Sequence, residues 1–330
     1  VYFLMTVIAC IVGIVMVNIT HPGVGFTLDN MQAFDTSKVK TPSFVNFLFD
    51  MVPVNIVDSM AKNQIMQMIF FTVLVGVALV SLGEKVAGVT KIFDQCASII
   101  YKMLDIVMLY SPIGVLALMA NTTAVFGPKL FGVLAKFVFT DWVGCLLIWF
   151  FFSGIVWLYT KVNYLEMCKS MIPIWVNTIA TNSSAGTIPI TLNVTTERLK
   201  VPMSIASFSI PLGATINLTG AALYKTILAF FVAEIYGLQL TIDQILMVII
   251  ISTIMSIAAP GIPGGGIVTG AIFLNLLGLP MDLMGPIAGM YRLIDMSHTT
   301  VNVSGDVLGT MLVAKNENIW TGEDFNKTLV

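Results

Sequence analysis

Apolar residues run through this chain in blocks too long for a soluble core. Residues 1–20, 66–82, 98–121, 130–160, 204–234 and 244–259 are almost wholly hydrophobic. A helix needs about 20 such residues to cross a bilayer, so the pattern predicts an all-α, polytopic membrane protein. Two other apolar runs are interrupted. "MIPIWVNTIA", the polar tip "TNSSAGT" and "IPITLNV" follow one another from residue 171, and "ILMVIIISTIMSIAA", "PGIPGGG" and "IVTGAIFLNLLGLP" repeat the arrangement from residue 245. Arms of about ten residues are too short to cross the hydrocarbon. Irregular backbone at membrane depth is tolerated only when buried in protein or lining a wet cavity, so the pair predicts two re-entrant hairpins with a polar site between them. The second tip also reads as a loop between two short spans, which a thinned bilayer accommodates.

Between the hairpins lies "SFSIPLGATINLTGAALYKTILAFFVAEIYG". Its middle, "GATINLTG", is dense in small and amide residues. The segment reads either as a helix unwound to offer oxygens to a small cation or as a span packed closely through small residues. Earlier helices break at "DMVPVN" and "YSPIGV", where proline interrupts the hydrogen-bond ladder, and residues 21–44 form a polar stretch without period. His21, alone in that stretch, reads as a solvated loop residue.

Composition sharpens this. The chain has 330 residues, 57% of them hydrophobic and only 10% charged, with a net charge of −2. No basic patch speaks for nucleic acid. Four cysteines, Cys10, Cys96, Cys145 and Cys168, show no metal-binding spacing and read as buried free thiols. The chain opens at full hydrophobicity on Val1 without a charged lead, unlike a cleaved signal peptide, so its start reads as incomplete.

Most of the chemistry falls in "YRLIDMSHTTVNVSGDVLGT", residues 291–310. At about 100° per residue, Asp295, Thr299, Asn302 and Asp306 stack on one helix face with His298 at its edge. Exposed to lipid, such a stripe would cost several kcal/mol per charged group, so it must face protein or water. Three readings fit: an Arg292–Asp295 ion pair with neutral side chains bonding neighbouring helices, a proton relay, or a ligand site with one carboxylate for an ammonium and the other for a metal cation. Asp141, in "FTDWVGC", is an intramembrane acid and hence a functional candidate; its place near a helix end favours a side chain that reaches the interface.

Together, "TNSSAGTIPIT", "PLGATINLTGAALY", "GIPGGGIVTGAIFLNLLGLP" and "DMSHTTVNVSGDVLGTMLVAK" resemble the first hairpin, seventh helix, second hairpin and eighth helix of the dicarboxylate/amino acid:cation symporters, the glutamate transporter family. The resemblance spans nearly the whole chain, as if its first two helices were missing. It implies a glutamate-transporter-like fold with inverted repeats. Residues 1–20 would be the third helix, 21–42 an aqueous loop and 43–127 the scaffold and trimerisation helices. The transport region would occupy 128–330: sixth helix 128–162, hairpin one 164–199, seventh helix 202–236, hairpin two 241–280 and eighth helix 281–316. It further implies a plasma-membrane homotrimer whose transport regions move like elevators, with the second hairpin as gate and no cofactor beyond a coupling sodium ion or proton.

For the site, the resemblance implies Asp295 on a substrate's α-amino group, Asn302 on its α-carboxylate, and Thr299, Ser184, Ile262 and Gly266 as further contacts. It implies one sodium site from Asp306, Asn302, Asn217 and the Gly213 carbonyl, and a weaker second from Thr215, Leu218 and Ser256. Two departures concern the substrate's side chain. His298 stands where acidic-substrate members have arginine, and Ala221 where they have threonine. Arginine holds a carboxylate with a permanently charged fork, whereas a free imidazole is mostly neutral at pH 7. A neutral or polar amino acid is the expected substrate, with an acidic one bound through protonated His298 as the alternative. Thr219 replaces the aspartate of a third cation site and Val7 its serine, though Thr6 remains, so fewer coupled cations are expected. An enzyme is not indicated: Asp306 sits in an SGD without the partner motif of an intramembrane protease, and no HExxH or partnered GxSxG occurs. An uncoupled channel also suits small-residue breaks.

Overall fold

A computed structural model describes residues 1–26, 48–62, 64–257, 259, 261 and 263–327 of the chain. Residues 27–42 of the expected aqueous loop and Ile262 therefore lie outside the described residues. All regular structure among the described residues is helical. Four stretches, Tyr2–Thr20, Met66–Ile100, Lys129–Thr160 and Met203–Ile235, are long and apolar enough to cross a membrane. The chain divides into two compact units, one of residues 1–40 and 122–330, the other of residues 41–121.

The smaller unit holds α2 (Ile56–Ala61), α3 (Ile65–Leu82), α4 (Ala87–Leu109) and most of α5 (Ser111–Phe126). Asn55 caps α2 by accepting hydrogen bonds from Val57 and Asp58. Its helices keep many apolar side chains exposed, among them Val73, Val77, Val80, Ile92, Ile99 and Met103. Surface of this kind belongs against lipid or another protein rather than water. Cys96 lies on this exposed surface, contrary to the buried thiol expected, because α4 has little packed over it.

The larger unit is built around α10 (Thr219–Ile235) and α13 (Met284–Asn316). Every residue of α10 from Thr219 to Ala229 is buried, and so is every residue of α13 from Val301 to Met311. Helices apolar or small on all sides can be enclosed on all sides. Around them pack α1 (Tyr2–Thr20), α6 (Lys129–Thr160) and α9 (Met203–Ile216). Glycine sets the closest approach: a methyl group on Gly220 would stand 2.6 Å from the His298 Cα.

Both interrupted segments fold back as helix pairs. The first is α7 (Tyr164–Thr181) and α8 (Ser184–Asn193), turned by Asn182 in left-handed conformation at φ 52° and capped by Ser183, whose hydroxyl accepts from Gly186 N–H at 3.0 Å. The second is α11 (Ile242–Ile257) and α12 (Gly265–Leu276), the latter entered through Gly264 at φ 76°. The return arms α8 and α12 have 10 and 12 residues, which at about 1.5 Å per residue reach roughly half of a 30 Å hydrocarbon layer. The leading arms are longer than the expected ten residues, at 18 and 16. In α7 the polar start "YLEMCKS", capped by Asn163, winds into the same helix. The two tips meet: the Gly261 carbonyl accepts from Ala185 N–H at 3.4 Å and from the Ser183 hydroxyl at 3.3 Å.

Replacing Gly220 by valine forces α10 away from α13. The expected cost is about 1–3 kcal/mol, seen as a lower unfolding midpoint of the detergent-solubilised protein, and an unchanged midpoint would contradict the close approach.

Candidate functional site

The seventh-helix segment breaks where the sequence is richest in small and amide residues. α9 ends at Ile216, Asn217 and Leu218 depart from helical geometry with ψ of 59° and 57°, and α10 begins at Thr219. The break frees backbone groups that α13 answers. Gly220 N–H donates to Asn302 Oδ1 at 2.7 Å, and Asn217 Nδ2 donates to the Asn302 carbonyl at 3.2 Å and to Asp306 Oδ1 at 2.9 Å. Thr219 donates to Asn217 Oδ1 at 2.7 Å, fixing which way that amide points.

Asp306 is 1% exposed. It meets no basic group within ion-pair distance among the described residues. A methyl group on Gly213 would fall on the carboxylate, so only glycine brings the α9 backbone this close. Tyr2, which the sequence did not single out, covers the centre from α1: its hydroxyl donates to the Ser209 carbonyl at 3.1 Å and lies 3.3 Å from the Asp306 carbonyl. Thr6, on the same helix, spends its hydroxyl on the Tyr2 carbonyl at 3.0 Å. A buried carboxylate among neutral oxygens, without a cation of its own, is a place for a sodium ion or a proton.

One or two turns away, Ser184, Leu218, Ala221, Gly266, Asp295, His298, Thr299 and Asn302 line one small cavity, joined by Asn182, Ala259, Gly261, Thr269 and Tyr291. The cavity measures about 30 Å³, room for a water molecule or two. Asp295 is 8% exposed there. It accepts from Gly264 N–H at 3.2 Å, in the second hairpin, and from the Tyr291 hydroxyl at 3.5 Å. The Arg292–Asp295 ion pair considered above does not form, since the Arg292 guanidinium turns to the Ala180 carbonyl, 3.0 Å away at the first hairpin's tip. Tyr291 also presses its hydroxyl against Gly266, where any side chain would collide with it.

His298, which lines the cavity beside Asp295, Thr299 and Asn302, is also tied to α6. Its Nε2 lies 2.8 Å from Asp141 Oδ1, and the Ser297 hydroxyl donates to Asp141 Oδ2 at 3.0 Å. Asp141 is fully buried within α6, which corrects the expectation that it reaches the interface: α6 runs from Lys129 to Thr160, so Asp141 lies well inside the helix. Its carboxylate accepts from the ring, leaving Nδ1 as the free nitrogen, buried and without a partner. Tyr224 packs on the ring with centroids 5.4 Å apart. Asp141, Cys145 and His298 together present three potential ligand atoms within 4.8 Å of one another, but the Asp141 carboxylate is already engaged by the His298 ring and the Ser297 hydroxyl.

Of the residues named for the second cation site, Leu218 lines the cavity, the Thr215 hydroxyl turns back to the Leu212 carbonyl at 2.7 Å, and Ser256 is held by Lys225. His21 is not a lone loop residue: at the end of α1 its Nδ1 lies 2.9 Å from Glu234. Asp141, Lys225, Tyr2 and Tyr291 are what sequence reasoning missed or misplaced. An acid or a lysine within an apolar run was the signal for the first two; nothing distinguished the tyrosines.

Comparison with known proteins points the same way as the fold. The profile of the "Sodium:dicarboxylate symporter family" matches residues 1–316. The chain is 31% identical over 318 residues to a "Proton/glutamate-aspartate symporter" of Bacillus subtilis (strain 168), covering 95% of this chain and 77% of the relative. It is 29% identical over 331 residues to a "Proton/sodium-glutamate symport protein" of Bacillus caldotenax, covering 98% and 77%. It is also 30% identical over 328 residues to a "C4-dicarboxylate transport protein" of B. subtilis, covering 96% and 77%.

Replacing Asp141 by alanine leaves the His298 ring and the Ser297 hydroxyl without their shared acceptor. The expected loss is about 3 kcal/mol of stability, measured as thermal unfolding in detergent; a loss below about 0.5 kcal/mol would mean the contact contributes nothing.

Proposed function

The chain belongs to the sodium:dicarboxylate symporter family, and from that membership and its pocket we propose that it carries a small amino acid with a polar, uncharged side chain, together with sodium. Members of this family are integral membrane transporters rather than enzymes, driven by sodium or protons without a further cofactor. The observation that carries the reading is the buried carboxylate of Asp295 in a cavity wall, with no basic group in ion-pair distance among the described residues. An α-ammonium group supplies the missing charge. A C4-dicarboxylate, with no amine, would set its own negative charges against it.

The choice of side chain follows from His298. Because Nε2 is committed to Asp141, Nδ1 is the ring nitrogen left for a substrate; it accepts when the ring is neutral and donates when it is charged. A hydroxyl or amide side chain satisfies either state, while a carboxylate is satisfied only by the charged ring. Ala221, small where acidic-substrate members carry threonine, leaves that corner without a hydroxyl. The second reading is an acidic amino acid bound to protonated His298. Asp141 speaks for it, since it supplies the imidazolium's counter-charge, and so do the names of the glutamate and aspartate relatives.

Asn302, Thr299 and Ser184 would receive the α-carboxylate, while Asp306, Asn217, Asn302 and the Gly213 carbonyl would hold the sodium ion. Gly266 belongs to the gate, and so does Ile262 by the resemblance. The cavity of about 30 Å³ is too small for an amino acid, so the second hairpin must swing out to admit one, and Asp295 would exchange the Gly264 N–H for the substrate's amine. The homotrimer and the elevator movement of the larger unit belong to the same proposal, supported by the exposed apolar side chains of residues 41–121.

In proteoliposomes, uptake of serine- or asparagine-like amino acids is expected to be sodium-driven and to exceed uptake of aspartate or glutamate. His298→Arg, which supplies a permanently charged fork, is expected to shift the preference toward acidic substrates. Tight aspartate transport by the unaltered protein, in preference to neutral amino acids, would refute the assignment. Asp306→Asn, which removes the cation's charge partner, is expected to abolish sodium dependence of substrate binding; retained dependence would move the sodium site elsewhere.

A further inference from the structure

Lys225 takes no part in the site just described. It is the only lysine buried among the described residues, at 0% exposure, and lies midway along α10. Its Nζ donates to the Ala221 carbonyl and to the Ser256 hydroxyl, both at 3.3 Å, and no carboxylate comes within 4 Å of it among the described residues. A basic group placed this deep without an acid is costly. Simple packing would be served as well by methionine or leucine.

The position of the nitrogen gives it a role. Ser256 lies in the last turn of α11, the leading arm of the second hairpin, and is one of the three residues of the expected second cation site. Leu218, another of the three, packs with Ala221 and Ala259 in one cluster. The amine is thus held by a carbonyl and a hydroxyl, the hard oxygens a sodium ion takes, on the two elements such an ion would bridge.

We propose that the side-chain nitrogen of Lys225 stands in for a second coupling cation: it ties α10 to the second hairpin at Ser256 and excludes sodium from the oxygens around Thr215, Leu218 and Ser256. The proposal rests on the sodium-coupled reading and deepens it. The Asp306 centre is then the chain's one sodium site, since the position of a third lacks its carboxylate at Thr219. A tethered cation costs no gradient and never dissociates, so each substrate moves with one ion fewer.

Sodium titrated calorimetrically into the purified, detergent-solubilised chain tests this without any transport. The unaltered protein is expected to bind one sodium ion per chain and Lys225→Gln two, with Lys225→Arg, which keeps the charge, still binding one. Lys225→Met serves as the neutral variant if glutamine does not fold. Sodium dependence of uptake in proteoliposomes should change in step, from first order to steeper than first order in the neutral variants only. Two sodium ions in the unaltered protein, or one in folded Lys225→Gln and Lys225→Met, overturns the proposal. A protein that shows the expected sodium counts but no sodium-driven uptake overturns the symport reading instead.

Discussion

The meeting of a broken helix with a polar stripe is the interaction on which everything else here depends. Breaking a helix between Ile216 and Thr219 inside an apolar domain strands backbone groups that water cannot reach, and each would cost several kcal/mol unpaired. A helix carrying Asp295, Thr299, Asn302 and Asp306 on one face strands side chains in the same way. Neither is tolerable alone. Together they cancel, because Asn302 accepts from Gly220 N–H and Asp306 accepts from the Asn217 amide. What remains after that cancellation, among the described residues, is two buried carboxylates without a basic group in ion-pair distance and one imidazole nitrogen without a hydrogen bond.

Glycine is the means by which the two halves come close enough. Gly220 lets α10 lie on the backbone of His298, and Gly213 lets α9 reach Asp306, each at a distance where a methyl group would collide. The hairpins close the space from two sides with tips that touch each other at Gly261. Among the described residues, only the second bonds Asp295 directly, through Gly264 N–H. On the proposed reading a substrate's amine would replace that bond and so couple occupancy to hairpin position through the Asp295 carboxylate.

Most of this was legible in the sequence because a membrane makes polarity conspicuous. In a soluble protein an Asn, a Thr and two Asp residues along one helix would pass for surface; within a run of Val, Met and Leu they mark an interior face, and the structure buries all four. The hairpins were legible from arms too short to cross, although their leading arms are longer than the apolar stretches alone indicate. Asp141 was misread as lying near a helix end, although the apolar run from residue 130 already placed it well inside a span, and the helix begins twelve residues earlier, at Lys129. Contacts between distant helices, such as Asp141 with His298 or Lys225 with Ser256, leave no periodic trace. Tyr2 and Tyr291 look like ordinary apolar residues until their hydroxyls are seen to meet Ser209 and Asp295.

Charge balance then bears on what the proposed carrier moves through a low-dielectric layer. Among the described residues, the larger unit's buried acidic and basic side chains are Asp141, Asp295, Asp306, Lys225 and His298. Three carboxylates face one lysine and one imidazole, so the empty interior is negative in either state of the ring. A sodium ion at Asp306 would reduce that excess, and a zwitterionic amino acid with an uncharged side chain would add none. An acidic substrate would add one negative charge and require a further ion or proton to cross at comparable cost. The built-in amine at Lys225 thus suits a carrier that moves a neutral load with few cations.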